Sequence, residues 1–86
     1  MRSENYYTMA FDSTHFAVAA EKYFSPHIAV EVMPTLRKIT ASCGISLRIE
    51  EKDIEKLKML IAENKPLAEN SALFHVTGGE IKPETL

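Results

Sequence analysis

Apolar and polar residues alternate over short stretches of this chain and recur every three to four positions over two longer ones. From Tyr6 to Phe11, Tyr7, Met9 and Phe11 alternate with Tyr6, Thr8 and Ala10. Aromatic weight and period two predict a strand. Asp12-Ser13-Thr14 follows, three residue types that cap helix N-termini. A helix is predicted over about Thr14 to Phe24, with Phe16, Ala19, Ala20 and Tyr23 as its buried stripe. Pro26 cannot continue its ladder and ends it. Ile28 to Met33 reads as a second strand, with Ile28, Val30 and Val32 on one face and Glu31 on the other. Ile45 to Ile49 reads as a third, with Ile45, Leu47 and Ile49 inward and Ser46 and Arg48 outward.

Glu51 to Asn64 predicts a second helix, with Ile54, Leu57 and Ile61 on its core stripe and Leu60 beside them. Asp53–Lys56 and Glu55–Lys58 are spaced for weak i,i+3 pairs on its wet side. Lys65-Pro66 stops it. Ala72 to Val76 is a short last strand, and Gly78-Gly79 makes a turn into a polar tail. The order βαββαβ predicts an α+β, ferredoxin-like domain: a four-stranded antiparallel sheet with two helices on one face. A single domain is expected, its core over about 6–76 and polar tails over 1–5 and 77–86. At 86 residues such a core supplies only ~3–5 kcal/mol of stability, so a homodimer burying one sheet face fits the size.

The segment Pro34 to Gly44 has no clear period, yet it joins two strands. Loops of this kind are often functional. It ends in Cys43, the single cysteine of the chain, followed by Gly44. In the predicted fold strands one and two run the same way, and strand three returns beside strand one. Cys43 and Gly44 are therefore expected near Asp12-Ser13-Thr14-His15, although 28 positions separate His15 from Cys43. A helix N-terminus and Arg37, with Lys38, would favour a thiolate there, and His15 would take its proton or pair with the anion. Cys43 and His15 are the pair expected to carry chemistry. Arg37, Thr14, Ser42 and Gly44 are the expected anion-holding set. Asp12 would act against a thiolate if its carboxylate faced the sulfur. Plainer roles stand beside these: Cys43 as a packed small residue, His15 on a helix surface or as a cap, Arg37 and Lys38 solvated, and Thr40 and Ser42 satisfying loop backbone.

Charge and composition narrow the partners. A net charge of −2 offers no basic field for nucleic acid or an acidic membrane. No apolar run approaches the ~20 residues that span a bilayer. The first five residues contain no apolar core of a secretory signal, and an unpaired cysteine suits a reducing compartment, so cytoplasm is expected. One cysteine with scattered histidines predicts no metal site, and no Cys-x-x-Cys or phosphate-binding glycine loop calls for a cofactor.

Thr14-His15-Phe16-Ala17, Glu21-Lys22, Pro34-Thr35-Leu36-Arg37-Lys38-Ile39, Ser42-Cys43-Gly44 and Leu47-Arg48 together resemble a family of small bacterial domains described as putative selenium/sulfur carrier protein-like. The resemblance runs from about Tyr7 to Leu60. It implies that Cys43 holds sulfur or selenium as a persulfide or perselenide, with His15 and Arg37 at the family's recurrent polar positions. Leu36 stands where the pattern has a second proline, and the Cys-Pro-x-Pro motif of TusA-type sulfur-transfer proteins is absent. A cysteine desulfurase-type donor and an acceptor protein are the implied partners. The alternative reading is a non-catalytic anion-binding or dimerisation module, with Cys43 as packing and Arg37 holding the ligand at the helix N-terminus. A stand-alone enzyme is not expected, because one exposed loop leaves little room for a substrate pocket.

Overall fold

In chain order the elements are β1 (Tyr6–Phe11), α1 (Thr14–Phe24), β2 (Val30–Pro34), β3 (Ile45–Glu50), a 3-10 turn (Glu51–Asp53), α2 (Ile54–Ala62), α3 (Lys65–Glu69), β4 (Ser71–Thr77) and β5 (Glu80–Glu84). They come from a computed structural model that describes residues 4–39 and 44–85. The strands form one sheet in the order β2-β3-β1-β4-β5, every pair antiparallel. β1 and β3 are central neighbours, as the βαββαβ order predicts.

The sheet has five strands and not four. Thr77 pairs with Glu80 across a two-residue turn in which Gly78 and Gly79 have φ of 55° and 92°. Both values suit glycine, and such turns match the twist of a hairpin. The segment expected as a tail therefore returns as β5. Its sequence, Glu-Ile-Lys-Pro-Glu, conceals this, because it holds one large aliphatic residue and a proline tolerated only at an edge.

There are three helices and not two. The predicted second helix opens as the 3-10 turn and ends at Ala62. Pro66 then lies in the first turn of α3, where its missing N–H is not needed. Asn64 caps that helix, its Oδ1 accepting from the Leu67 N–H at 3.3 Å. The same proline reads as a stop or as a start, and here it is both.

Helices and sheet share one core. Tyr7, Met9 and Phe11 of β1, Leu47 and Ile49 of β3 and Leu73 of β4 meet Ala17, Ala20 and Phe24 of α1, Leu57 and Ile61 of α2, and Leu67 of α3. The stripe of α1 is turned from its predicted position: Ala19 is exposed, while Phe16 and Tyr23 are half-buried. Ile28 joins the core from the turn after α1, and β2 begins only at Val30. The Ile28 N–H bonds the Phe24 carbonyl at 2.9 Å, which closes the helix end that Pro26 prevents from continuing.

Candidate functional site

Phe11, the helix start and the β2–β3 connection lie at one end of the sheet. Asp12 donates its N–H to the Asn70 carbonyl at 3.0 Å, which ties the end of β1 to the end of α3. Ser13, in extended conformation with φ −152°, caps α1. Its Oγ accepts from the Phe16 N–H at 3.5 Å. Of the three capping candidates the middle one is used, which leaves Thr14 and His15 in the first turn, both exposed. The first turn holds no acidic residue, so the positive end of the helix dipole is not neutralised by its own side chains. The His15 ring stands edge-on to Phe16, with centroids 5.5 Å apart.

The loop leaves and re-enters the sheet beside this helix start. Pro34 faces Ile45, and the Thr35 N–H continues the ladder to the Gly44 carbonyl at 3.0 Å. The hydroxyls of Thr35 and the buried Ser46 lie 2.7 Å apart. A turn closed by the Ile39 N–H on the Leu36 carbonyl, at 2.9 Å, buries Ile39 and leaves Arg37 and Lys38 exposed. Among the described residues, a Cβ added to Gly44 would meet no atom within 4 Å.

Ala10 faces Ser46 across β1 and β3. Extending that register puts Phe11 beside Ile45 and brings Gly44 level with Asp12. Gly44 and the α1 start thus share the end of the sheet that the sequence assigns to them. Arg37 belongs to the same loop, but among the described residues no hydrogen bond or ion pair joins it to His15. Thr40, Ser42 and Cys43 lie outside the described residues.

Two polar groupings escaped the sequence reading. On the face of the sheet away from the helices, Ser46 and Arg48 are buried, as is Thr8, although their alternation suggested solvent. The Arg48 guanidinium lies 4.3 Å over the Tyr6 ring and donates to Glu50 Oε1 at 3.2 Å. Thr8 Oγ1 donates to Met33 Sδ at 3.5 Å. A cavity of about 310 Å³ is lined by Ala29, Val30, Glu31, Arg48 and Glu50. Register was the available signal, since Glu31 faces Arg48 on the neighbouring strand.

The second grouping sits on the helix side, at the end opposite the loop. His75 stacks on Tyr7 at 4.2 Å, and its Nε2 lies 2.6 Å from Glu51 Oε2. Lys58 donates to Glu84 Oε2 at 2.7 Å, so this lysine pairs with β5 and not along its own helix with Glu55. Burial, then the nearby Glu84 carboxylate, raises the Tyr7 pKa above its ordinary value. The hydrogen bond to Glu84 raises that of Lys58.

Among the described residues no three His, Cys, Asp or Glu side chains gather as a metal site. No described helix is long and apolar enough to cross a membrane. No curated protein and no solved structure matches the chain. A family pattern does, over residues 6–71, from the first residue of β1 to the first of β4 and across the whole loop and helix start. On that match the chain belongs to the family described as putative Se/S carrier protein-like.

Proposed function

We propose that this protein is a cytoplasmic carrier of sulfur or selenium that uses Cys43 as its acceptor. The observation that carries the reading is the family match across the loop, together with the single cysteine of the chain next to Gly44 in that loop. The Cys43 thiolate attacks the terminal sulfur of a donor persulfide, such as that of a cysteine desulfurase. A new S–S bond forms to Cys43, the donor's S–S bond breaks, and the donor thiolate leaves with the electron pair. No net oxidation is needed. An acceptor thiolate reverses the step, and selenium follows the same path as a perselenide. His15 takes the thiol proton. Arg37 and the first N–H groups of α1, with Thr14, Ser42 and the backbone at Gly44, hold the anion. The chain acts as a carrier and not as a stand-alone enzyme.

The test is persulfide loading followed by intact mass. Wild type gains the mass of one sulfur atom from a low-molecular-weight persulfide, and the gain is removed by a reductant. Cys43→Ser gains nothing while keeping its far-UV spectrum and unfolding midpoint. Loading that survives in the serine variant sinks the reading. If wild type fails to load but binds sulfite or selenite through Arg37, the anion-binding alternative takes its place. In wild type Cys43 is alkylated faster at neutral pH than in the denatured chain, because the thiolate is the nucleophile; a rate no faster than in the denatured chain counts against the reading.

A further inference from the structure

The two edges of the sheet are protected unequally. β5 carries Glu80, Lys82 and Glu84 with Pro83 among them, charges and a proline of the sort that discourage pairing with another chain. β2 also ends in a proline, Pro34, but has only one charged residue, Glu31, and its central Val32 is 49% exposed.

The hydrogen-bond phase of β2 tells which backbone groups lie on that free edge. In an antiparallel strand the N–H and C=O of one residue point to the same side, and successive residues alternate. Thr35 donates to Gly44 of β3, and the register runs back unbroken to Val30 opposite Ile49. Thr35, Met33 and Glu31 therefore direct their backbone groups at β3, and Val30, Val32 and Pro34 direct theirs outward. Pro34, which has no N–H, stands where the sheet itself asks for none.

We infer that β2 pairs antiparallel with β2 of a second copy, about a two-fold axis at Val32. The two Val32 residues exchange both N–H···O bonds. Each Val30 N–H donates to the carbonyl of Pro34 of the partner subunit. Centring the pair on Pro34 would oppose two residues without a donor, and centring it on Val30 would run past the start of the strand. Only the Val32 register uses the outward groups of the whole strand and leaves both prolines as acceptors.

The side chains fit the same axis. Val32 lies on the helix side, facing Leu47 across the strands. Tyr23 of α1 donates its hydroxyl to the Leu60 carbonyl of α2 at 2.8 Å, so that flank of α1 faces α2. Val18 is about 140° around the helix from Tyr23, on the side away from α2, and is 44% exposed. The two Val32 side chains then meet on the helix side of the new strand pair. On the other side Glu31 meets Met33 of the partner subunit, and no like charges stand directly opposite. The dimer would carry one continuous ten-stranded sheet, with the two Cys43 loops at opposite ends of the β2 pair. Its formation does not depend on the carrier chemistry.

Sedimentation under reducing conditions, so that Cys43 cannot crosslink two chains, tests it across roughly 5–500 μM, a range suited to a small interface. Wild type shifts from monomer toward dimer with rising concentration. Val32→Lys weakens association at least tenfold with an unchanged far-UV spectrum, because Val32 is half exposed in the monomer. Met59→Lys, at another exposed apolar residue, 66% exposed on α2, leaves association as it was. Independently, amide exchange at Val30 and Val32 slows as concentration rises. A chain monomeric throughout overturns the inference. So does a Val32→Lys variant that still dimerises, or exchange at Val32 that ignores concentration.

Discussion

On the helix-covered face Met9, Phe11, Leu47, Ile49 and Leu73 are buried in one apolar cluster. On the other face Thr8, Ser46 and Arg48 are buried as well, but each makes a polar contact. Equal burial here has different chemical meaning. The helix face depends on filled volume and is indifferent to geometry at the level of single hydrogen bonds. The polar face depends on partners staying in place, because a buried polar atom that loses its partner bears its desolvation cost. A substitution series across the two faces separates these modes.

The largest effect belongs to the helix face. Leu47→Ala, at a fully buried position in the centre of the sheet, lowers unfolding free energy by ~2–5 kcal/mol in urea titration. A small domain has little more than that to lose, so the variant is partly unfolded at room temperature. A cost below about 1 kcal/mol would mean that the α1 and α2 layer collapses into the void, and the two faces would no longer differ in kind.

Arg48 gives the next effect. Arg48→Ala removes the contact with Glu50, the guanidinium over Tyr6 and the buried stem, and costs about 2 kcal/mol. Arg48→Met keeps the stem and costs roughly half as much. Equal losses in the two variants would assign the whole contribution to the charged head. Ser46→Ala is smaller again, about 1 kcal/mol, and it removes the hydroxyl contact with Thr35 that fastens the start of the Cys43 loop. A double-mutant cycle with Thr35→Val tests that assignment, since a coupling near zero would leave the two hydroxyls independent.

These two faces also mark what the chain made legible. Period two placed Leu47 and Ile49 inward and Ser46 and Arg48 on the opposite side, and the register agrees. Alternation gives the side of a sheet, however, and not whether that side meets water. Ser46 bonds Thr35 and faces Met33, and Arg48 lies over Tyr6, which are tertiary contacts without a local signal. β5 was hidden for a related reason: the Gly78-Gly79 turn was readable, but the strand after it is held by Val76 and Phe74 across the ladder and not by its own composition. α3 was hidden by Pro66, whose two helical roles differ only in whether Asn64 caps a new helix there. At the candidate site, the topology brought Gly44 level with the α1 start as read from strand directions. The side-chain facts at that end, Ser13 as the cap and Arg37 outside any link to His15, depend on rotamers that no periodicity encodes.

The smallest effect lies on the rim of the helix face and concerns pH. Tyr7 has an ordinary pKa of 10.0, raised here first by burial and then by Glu84. The ordinary value for Lys58 is 10.5, raised first by its hydrogen bond to Glu84. In both cases the native state holds its proton to higher pH than the unfolded chain does. Where the native state binds more protons, stability falls as pH rises. The contribution is therefore complete below the unfolded pKa values and is lost as pH climbs through the native ones. Glu84→Gln removes the leading cause at Lys58 and the second at Tyr7 but leaves Tyr7 buried. The variant starts slightly less stable than wild type near pH 8, and its urea midpoint then falls less steeply above about pH 10, so the two curves converge. Lys58 is exposed enough for salt to shrink the gap further. Curves that stay parallel from about pH 8 to 11 would mean that Lys58 and Glu84 do not stay paired in solution, and the helix face would then be held by apolar burial at its rim as well as at its centre.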